Sequence, residues 1–180
     1  MARTIPSAQD KRADVRTLLV ALLLSSTAAG ENRELLPAWR RPAAAALLPD
    51  GRTLAVANEG TGTVTLIELA KTAGDKPRIL SESPVGTSLT DLIAIPRSNW
   101  LLATDFASPS LHALQRQGGQ LQAVKLLEHS LPEYSVGICL SNDGKIASIA
   151  SLWGRSVTLL SITAGDKEVQ AVPLITLPLD

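Results

Sequence analysis

The stretch "LLPDGRTLAVANEGTGTVTLIEL", Leu47 to Leu69, decides the fold. Asp50-Gly51 is a tight-turn dipeptide between two short apolar segments, a pattern that predicts a hairpin of β-strands. Gly60 and Gly62 could instead open a phosphate-binding loop. Such a loop needs a helix whose first N–H groups face the anion, whereas "TVTLIEL" after Gly62 is typical of a strand. We therefore interpret both glycines as hairpin glycines.

The same pattern recurs twice more along the chain. The segments "PDGRTLAVAN", "PRSNWLLATD" and "SNDGKIASIAS" are 47 and 46 residues apart when Asp50, Arg97 and Asp143 are paired. Independently, the pentapeptide "TAGDK" occurs at 72–76 and again at 163–167, which is 91 residues later and close to two periods. A fixed period of this length indicates repeated units of one supersecondary structure.

Each unit is predicted to form four short strands. The first strands are expected at 43–48, 89–95 and 135–140, the second at 53–58, 100–105 and 146–151, the third at 63–69, 111–115 and 156–162, and the fourth near Ile79, Val124 and Val172. Four strands in a period of about 46 residues are typical of a β-propeller blade. The predicted fold class is therefore all-β, with about three blades of four antiparallel strands in an incomplete propeller. The units span about 41–83, 84–131 and 132–177 within a repeat domain of residues 30–180.

The N-terminal segment has the pattern of an export signal. Basic residues precede the apolar run "TLLVALLLSSTAA", Thr17 to Ala29, which is shorter than the roughly 20 residues of a membrane span. A buried amphipathic helix would need polar residues at helical spacing through 18–24, and the sequence has none there. Residues 1–29 are thus predicted to be a signal peptide. The mature protein is expected to start at Gly30 or Glu31, in the periplasm or outside the cell, without a membrane span.

Composition narrows the possible partners. Aromatic residues make up only 3% of the chain, and 17 basic residues are balanced by 17 acidic ones, so we expect no nucleic-acid partner. The single cysteine, Cys139, rules out a disulfide within the chain. Its apolar neighbours in "SVGICLS" predict a buried thiol.

Few residues could support catalysis. The chain has two histidines, His112 and His129, and lacks the His-Glu-x-x-His, Cys-x-x-Cys-His and nucleophile-elbow motifs. We therefore expect no catalytic residue, metal site or cofactor. His112 is predicted to be a half-exposed strand residue. His129 lies in the loop "EHSLPEYS" and is the better binding candidate, because loops carry function more often than strands do.

One face of the predicted propeller is the default binding surface. The turns between second and third strands share this face with the connections between units, including Asp91, Glu133 and Tyr134. An exposed aromatic ring beside a guanidinium can hold a partner residue, which makes the turn around Trp153 the most suggestive. Two simpler interpretations stay open, in which the Trp153 ring covers the end of its blade and Asn58 caps a hairpin with its amide. The candidate binding residues on the face are Asn58, Glu59, Asp105, His129, Trp153 and Arg155.

The repeat resembles that of the YVTN-type β-propellers. In that family a Pro-Asp-Gly turn precedes a strand ending in Tyr-Val-Thr-Asn, followed by a Gly-Thr-Val hairpin. Here Ala55-Val56-Ala57-Asn58 occupies the signature and keeps Val56 and Asn58, whereas the second and third units are degenerate. The resemblance covers about Arg41 to Leu177. It implies the fold and is a poor guide to activity.

Two classes of function remain open. The first is an exported binding or scaffold module that meets a protein or cell-envelope component. The second, implied by the resemblance, is the propeller part of a periplasmic oxidoreductase associated with a c-type cytochrome domain, or a lactonase-like hydrolase. Closed propellers have about four to eight blades. Three units would leave the apolar faces of the first and last units uncovered, so we expect further blades from a longer chain or from self-association.

Overall fold

The computed structural model describes residues 39–72, 74–127 and 131–179. The predicted signal peptide and His129 lie outside these residues. The described part contains no helix, and so none long and apolar enough to cross a membrane. Its strands are β1 (Pro42–Leu47), β2 (Thr53–Asn58), β3 (Thr63–Glu68), β4 (Arg78–Pro84), β5 (Leu89–Ala94), β6 (Trp100–Asp105), β7 (Leu111–Gln117), β8 (Gln120–Leu127), β9 (Ser135–Leu140), β10 (Ile146–Ser151), β11 (Ser156–Ala164) and β12 (Val169–Pro178).

The strands form three antiparallel sheets of four, each in sequence order. The sheets are β1–β4, β5–β8 and β9–β12. The first strands β1, β5 and β9 lie side by side, and the outer strands β4 and β8 are also neighbours. The sheets are therefore stacked as successive blades around an axis beside the first strands. This arrangement confirms the predicted all-β fold with three blades of an incomplete propeller.

The turns keep their geometry although their residues change. Gly51 and Gly144 have φ values of 64° and 74° between the first and second strands, as tight hairpins require. The middle unit lacks this glycine, and Arg97 takes the left-handed conformation with a φ of 57°. Gly62 has a φ of 63° between β2 and β3, which confirms it as a hairpin glycine, and Arg155 occupies the matching position in the third unit with a φ of 41°.

Aliphatic side chains fill the space between neighbouring sheets. Strand β6 is buried along its whole length, because the middle sheet is covered on both faces. Between the first and second sheets the core includes Ala55, Val64, Leu66, Leu92, Leu101 and Leu114. Between the second and third sheets it includes Leu102, Leu111, Ile138, Ile149 and Leu160.

The two outer sheets differ in their exposure. In the third sheet β10 alternates between buried and accessible residues, and Ile146, Val172 and Ile175 are 39%, 55% and 49% exposed. This apolar face is open to solvent, as expected. In the first sheet every residue of β2 is buried, including Leu54 and Val56. On the same face as Leu54, Leu47 and Ile79 are 42% and 63% exposed, so this face is covered at β2 and open in the flanking strands β1 and β4.

Two side chains lie in environments opposite to those predicted. Cys139 is exposed rather than buried, because alternation along β9 turns Ile138 inward and the next residue outward. His112 was predicted to be half-exposed and is only 3% exposed. Its Nε2 lies 3.6 Å from Oδ2 of Asp105, which is also buried.

Candidate binding surface

The two ends of the sheets carry different side chains. At one end lie the β2–β3, β6–β7 and β10–β11 turns together with the connections that enter each sheet. Four of the chain's five aromatic residues, Trp39, Phe106, Tyr134 and Trp153, belong to this end, which we call the aromatic end. The fifth, Trp100, starts β6 at the opposite end, where the β1–β2, β5–β6 and β9–β10 turns carry mostly polar residues. We call that end the charged end.

Large apolar side chains are accessible at the aromatic end. Trp39, Leu152 and Trp153 are 76%, 56% and 69% exposed, and Tyr134 is 37% exposed. Arg155 is exposed in the same turn as Trp153. Since so much of its ring is accessible, Trp153 does not seal the end of its blade. Several exposed apolar residues at one end are typical of an interaction surface, whereas scattered single ones are ordinary.

Asn58 lies beneath this surface. It is 1% exposed, and its Nδ2 donates to Oγ1 of Thr63 at 3.0 Å and to Oγ1 of Thr65 at 2.9 Å. The amide therefore fixes the β2–β3 hairpin, in agreement with the simpler interpretation of this residue. Beside it, Glu59 remains partly accessible and forms an ion pair with Arg41 at 3.3 Å.

Asp105 has the equivalent position in the second unit and is also 1% exposed. Its carboxylate accepts backbone N–H groups from Thr87 at 2.7 Å, Ser88 at 3.0 Å and Ala107 at 3.0 Å. Burial raises the pKa of Asp105, but the neighbouring imidazole of His112 and the hydrogen bonds from these backbone groups outweigh it and hold the pKa below its usual value. An ionised Asp105 thus ties the connection between the first two sheets to the β6–β7 turn.

Ser151 completes the series in the third unit. Its Oγ donates to the carbonyl of Glu133 and accepts the N–H of Gly154 at 3.2 Å. All three units therefore end the second strand with a buried polar residue that fixes a turn from inside. The structure thus brings Glu59, Trp153 and Arg155 to the surface and places Asn58 and Asp105 below it.

A small cavity opens between the second and third units at the aromatic end. Its volume is about 130 Å³, and it is lined by Phe106, Ala107, Pro109, Glu133 and Tyr134. The rings of Phe106 and Tyr134 are 5.0 Å apart between centroids and tilted by 57°. Sequence reasoning placed Glu133 and Tyr134 on this face but missed Phe106. Its place in the turn directly after the second strand was the available signal.

Metal binding has no support in the described residues, since none of their His, Cys, Asp and Glu side chains form a group of three or more able to hold an ion. No protein-family model and no curated protein sequence matches the chain.

Solved structures resemble the protein in fold. A putative 6-phosphogluconolactonase from Bacteroides uniformis is 13% identical with a TM-score of 0.66, over 83% of this chain and 45% of that one. The periplasmic gluconolactonase of Pseudomonas aeruginosa is 19% identical with a TM-score of 0.59, over 77% and 42%. Hydrazine synthase of Kuenenia stuttgartiensis is 19% identical with a TM-score of 0.57, over 74% and 36%. The likeness shows a β-propeller fold, and the chain spans less than half of each of these proteins.

Proposed function

We propose that the protein is an exported β-propeller module that binds a partner protein or cell-envelope component through its aromatic end. The observation that carries this proposal is the segregation of four of five aromatic residues to that end, where Trp39 and Trp153 are more than two-thirds exposed. Tryptophan and arginine side chains contribute most of the binding energy in many protein interfaces. Glu59, Trp153 and Arg155 are the proposed contact residues, while Asn58 and Asp105 hold the turns beneath them. His129 stays a predicted contact.

Family membership and cellular location are parts of the same proposal. The Pro-Asp-Gly turn with Gly51 in the left-handed conformation and the hairpin-fixing Asn58 support membership of the YVTN-type propellers. The predicted signal peptide supports export. The likeness to a periplasmic gluconolactonase supports a periplasmic location.

The open face of the third sheet is proposed to dock another blade. Ile146, Val172, Ile175 and Leu177 are each 39% to 55% exposed there, whereas the matching faces inside the stack are closed by aliphatic contacts. Covering apolar area contributes about 25 cal/mol per Å², so a sheet-sized face favours association by many kcal/mol. Light scattering after size exclusion of residues 30–180 tests this. A discrete dimer or aggregation supports it, and a soluble monomer with a cooperative melt contradicts it.

Site-specific photo-crosslinking in the native host tests the binding function. In one variant a benzoylphenylalanine replaces Trp153 at the aromatic end. In the matched control it replaces Lys145, which is exposed at the charged end. We expect a discrete adduct from position 153 and none from position 145. Equal labelling from both positions, or none from 153, would reject the aromatic end as the binding surface.

Hydrolysis of a sugar lactone is a second candidate, favoured by the likeness to two gluconolactonase-type propellers. The test is hydrolysis of glucono-δ-lactone and 6-phosphogluconolactone above their spontaneous rates. A rate that depends on enzyme concentration and falls in Glu133→Gln would favour it over the binding module. If both lactones hydrolyse only at their spontaneous rates, lactone hydrolysis is rejected as the function.

A further inference from the structure

We infer that the cavity lined by Phe106, Glu133 and Tyr134 receives the cationic end of a lysine or arginine side chain of the partner protein. This inference rests on the proposed function, because it assigns a chemical role to one pocket within the proposed binding surface. The size, the lining and the rigidity of the cavity each support it.

Size limits what the cavity can hold. At about 130 Å³ it is well below the roughly 300–1,000 Å³ of pockets that take drug-sized molecules and cofactors. It is nevertheless larger than one water needs. The end of a single side chain therefore suits it better than a whole cofactor or sugar.

The lining favours positive charge. Aromatic ring faces attract cations, and the tilt of 57° between Phe106 and Tyr134 prevents the two rings from covering each other face to face. Glu133 adds an exposed carboxylate, which has no ion-pair partner in residues 39–72, 74–127 and 131–179. The buried carboxylate of Asp105 accepts the N–H of Ala107, another lining residue. An anion would meet these negative groups, whereas a basic side chain would be complementary to them.

The walls are held in place before any ligand arrives. The N–H of Phe106 donates to the carbonyl of Ser88 at 2.8 Å, and the N–H of Leu152 donates to the carbonyl of Tyr134 at 3.1 Å. Ser151 Oγ fixes the carbonyl of Glu133. A preformed pocket loses less conformational freedom on binding, which favours affinity.

Backbone NMR titration of the full chain tests the inference. The probe is acetyl-Gly-Arg-Gly-amide, and its neutral counterpart carries citrulline in place of arginine. We expect the amide signals of Ala107, Glu133 and Tyr134 to shift with the arginine peptide and much less with citrulline. Glu133→Gln should weaken binding about two- to fivefold, the range for one exposed charge or cation–π contact. The matched control, Glu168→Gln, removes an exposed carboxylate from the β11–β12 turn at the charged end and should leave binding unchanged.

Equal shifts with both peptides, equal effects of the two glutamate variants, or no shift at these amides would overturn the pocket assignment. The photo-crosslink from position 153 separates this failure from failure of the proposed function, since Trp153 does not line the cavity. Peptide binding without any crosslink from position 153 would reject the proposed surface alone. A crosslink without peptide binding would reject the pocket alone.

Discussion

The charged end joins neighbouring units, whereas the aromatic end leaves its large side chains to solvent. At the charged end Arg116 pairs with Asp50 across the first two sheets. Trp100 Nε1 donates to the carbonyl of Gly165 at 2.8 Å across the second and third sheets, and Gln115 Nε2 donates to the carbonyl of Asp166 at 2.6 Å. The second "TAGDK" segment thus takes part in a contact between blades. The charged end therefore carries side-chain bonds between blades, and the aromatic end carries most of the accessible rings.

The same comparison separates two kinds of polar residue. Asn58 and Asp105 belong to the aromatic end, yet both are buried and bonded internally. The accessible groups there include aromatic rings, the carboxylate of Glu133 and the guanidinium of Arg155. Stability should therefore respond to the buried residues, and binding to the exposed ones.

The largest expected contrast is between two tryptophans. Trp100→Ala removes a buried ring and its bond to Gly165, so it should lower the free energy of unfolding by about 3–5 kcal/mol. Trp153→Ala removes an exposed ring and should change it by no more than about 0.5 kcal/mol. Urea unfolding followed by circular dichroism measures both. Similar losses would mean that Trp153 is a structural residue.

Asp105→Ala should be the next most destabilising change, at about 3 kcal/mol, because it leaves three backbone N–H groups without their acceptor. Since the pKa of Asp105 is lowered in the folded state, its stabilising effect is present above the ordinary value of 3.8. That effect is lost as the pH falls through the lower folded pKa. The stability difference between wild type and Asp105→Ala should therefore shrink in strong acid. A difference that stays constant from pH 7 to the acid limit would contradict the ionised assignment.

Turn glycines at the charged end provide a smaller effect. Valine is strained at the positive φ of Gly51 and Gly144, at about 1–3 kcal/mol each, and asparagine is strained less. Gly144→Val should cost more than Gly51→Val, because a Cβ at Gly144 would lie 3.1 Å from Cδ of Pro96, whereas the space at Gly51 is open. Thermal denaturation of the four variants checks this order. Equal melting temperatures for asparagine and valine would remove the hairpin interpretation.

The smallest expected effect is the coupling between Asp50 and Arg116. Their side chains are 34% and 26% exposed, so a double-mutant cycle should give no more than about 1 kcal/mol, decreasing with added salt. Burial raises the pKa of Asp50, but hydrogen bonds from Arg52, Arg116 and Thr53 lower it further than burial raises it. The coupling should therefore be present at neutral pH and disappear as the pH falls through the lowered pKa. A coupling that survives high salt and acid would require another explanation of the contact.

The sequence was sufficient to predict the blades, because the same pattern of strands and turns occurs three times. The strands 53–58, 100–105 and 146–151 begin and end at the predicted residues, since turn residues flank each one. Side-chain environments were harder to predict. His112 is buried beside Asp105 of the neighbouring strand, a contact that the residue pattern of its own strand does not reveal. Phe106 and Tyr134 are 28 residues apart and meet only because two blades stack, so no local pattern could reveal their cavity.

Oxidative footprinting of the five aromatic residues tests the central claim most directly. Hydroxyl-radical labelling would be compared between the purified protein and the protein within the envelope fraction of its native host. We expect Trp39, Tyr134 and Trp153 to be oxidised readily in the purified protein and protected in the envelope fraction, while Trp100 stays unreactive in both. Equal oxidation of the three exposed residues in the two samples would contradict the assignment of the aromatic end as the binding surface.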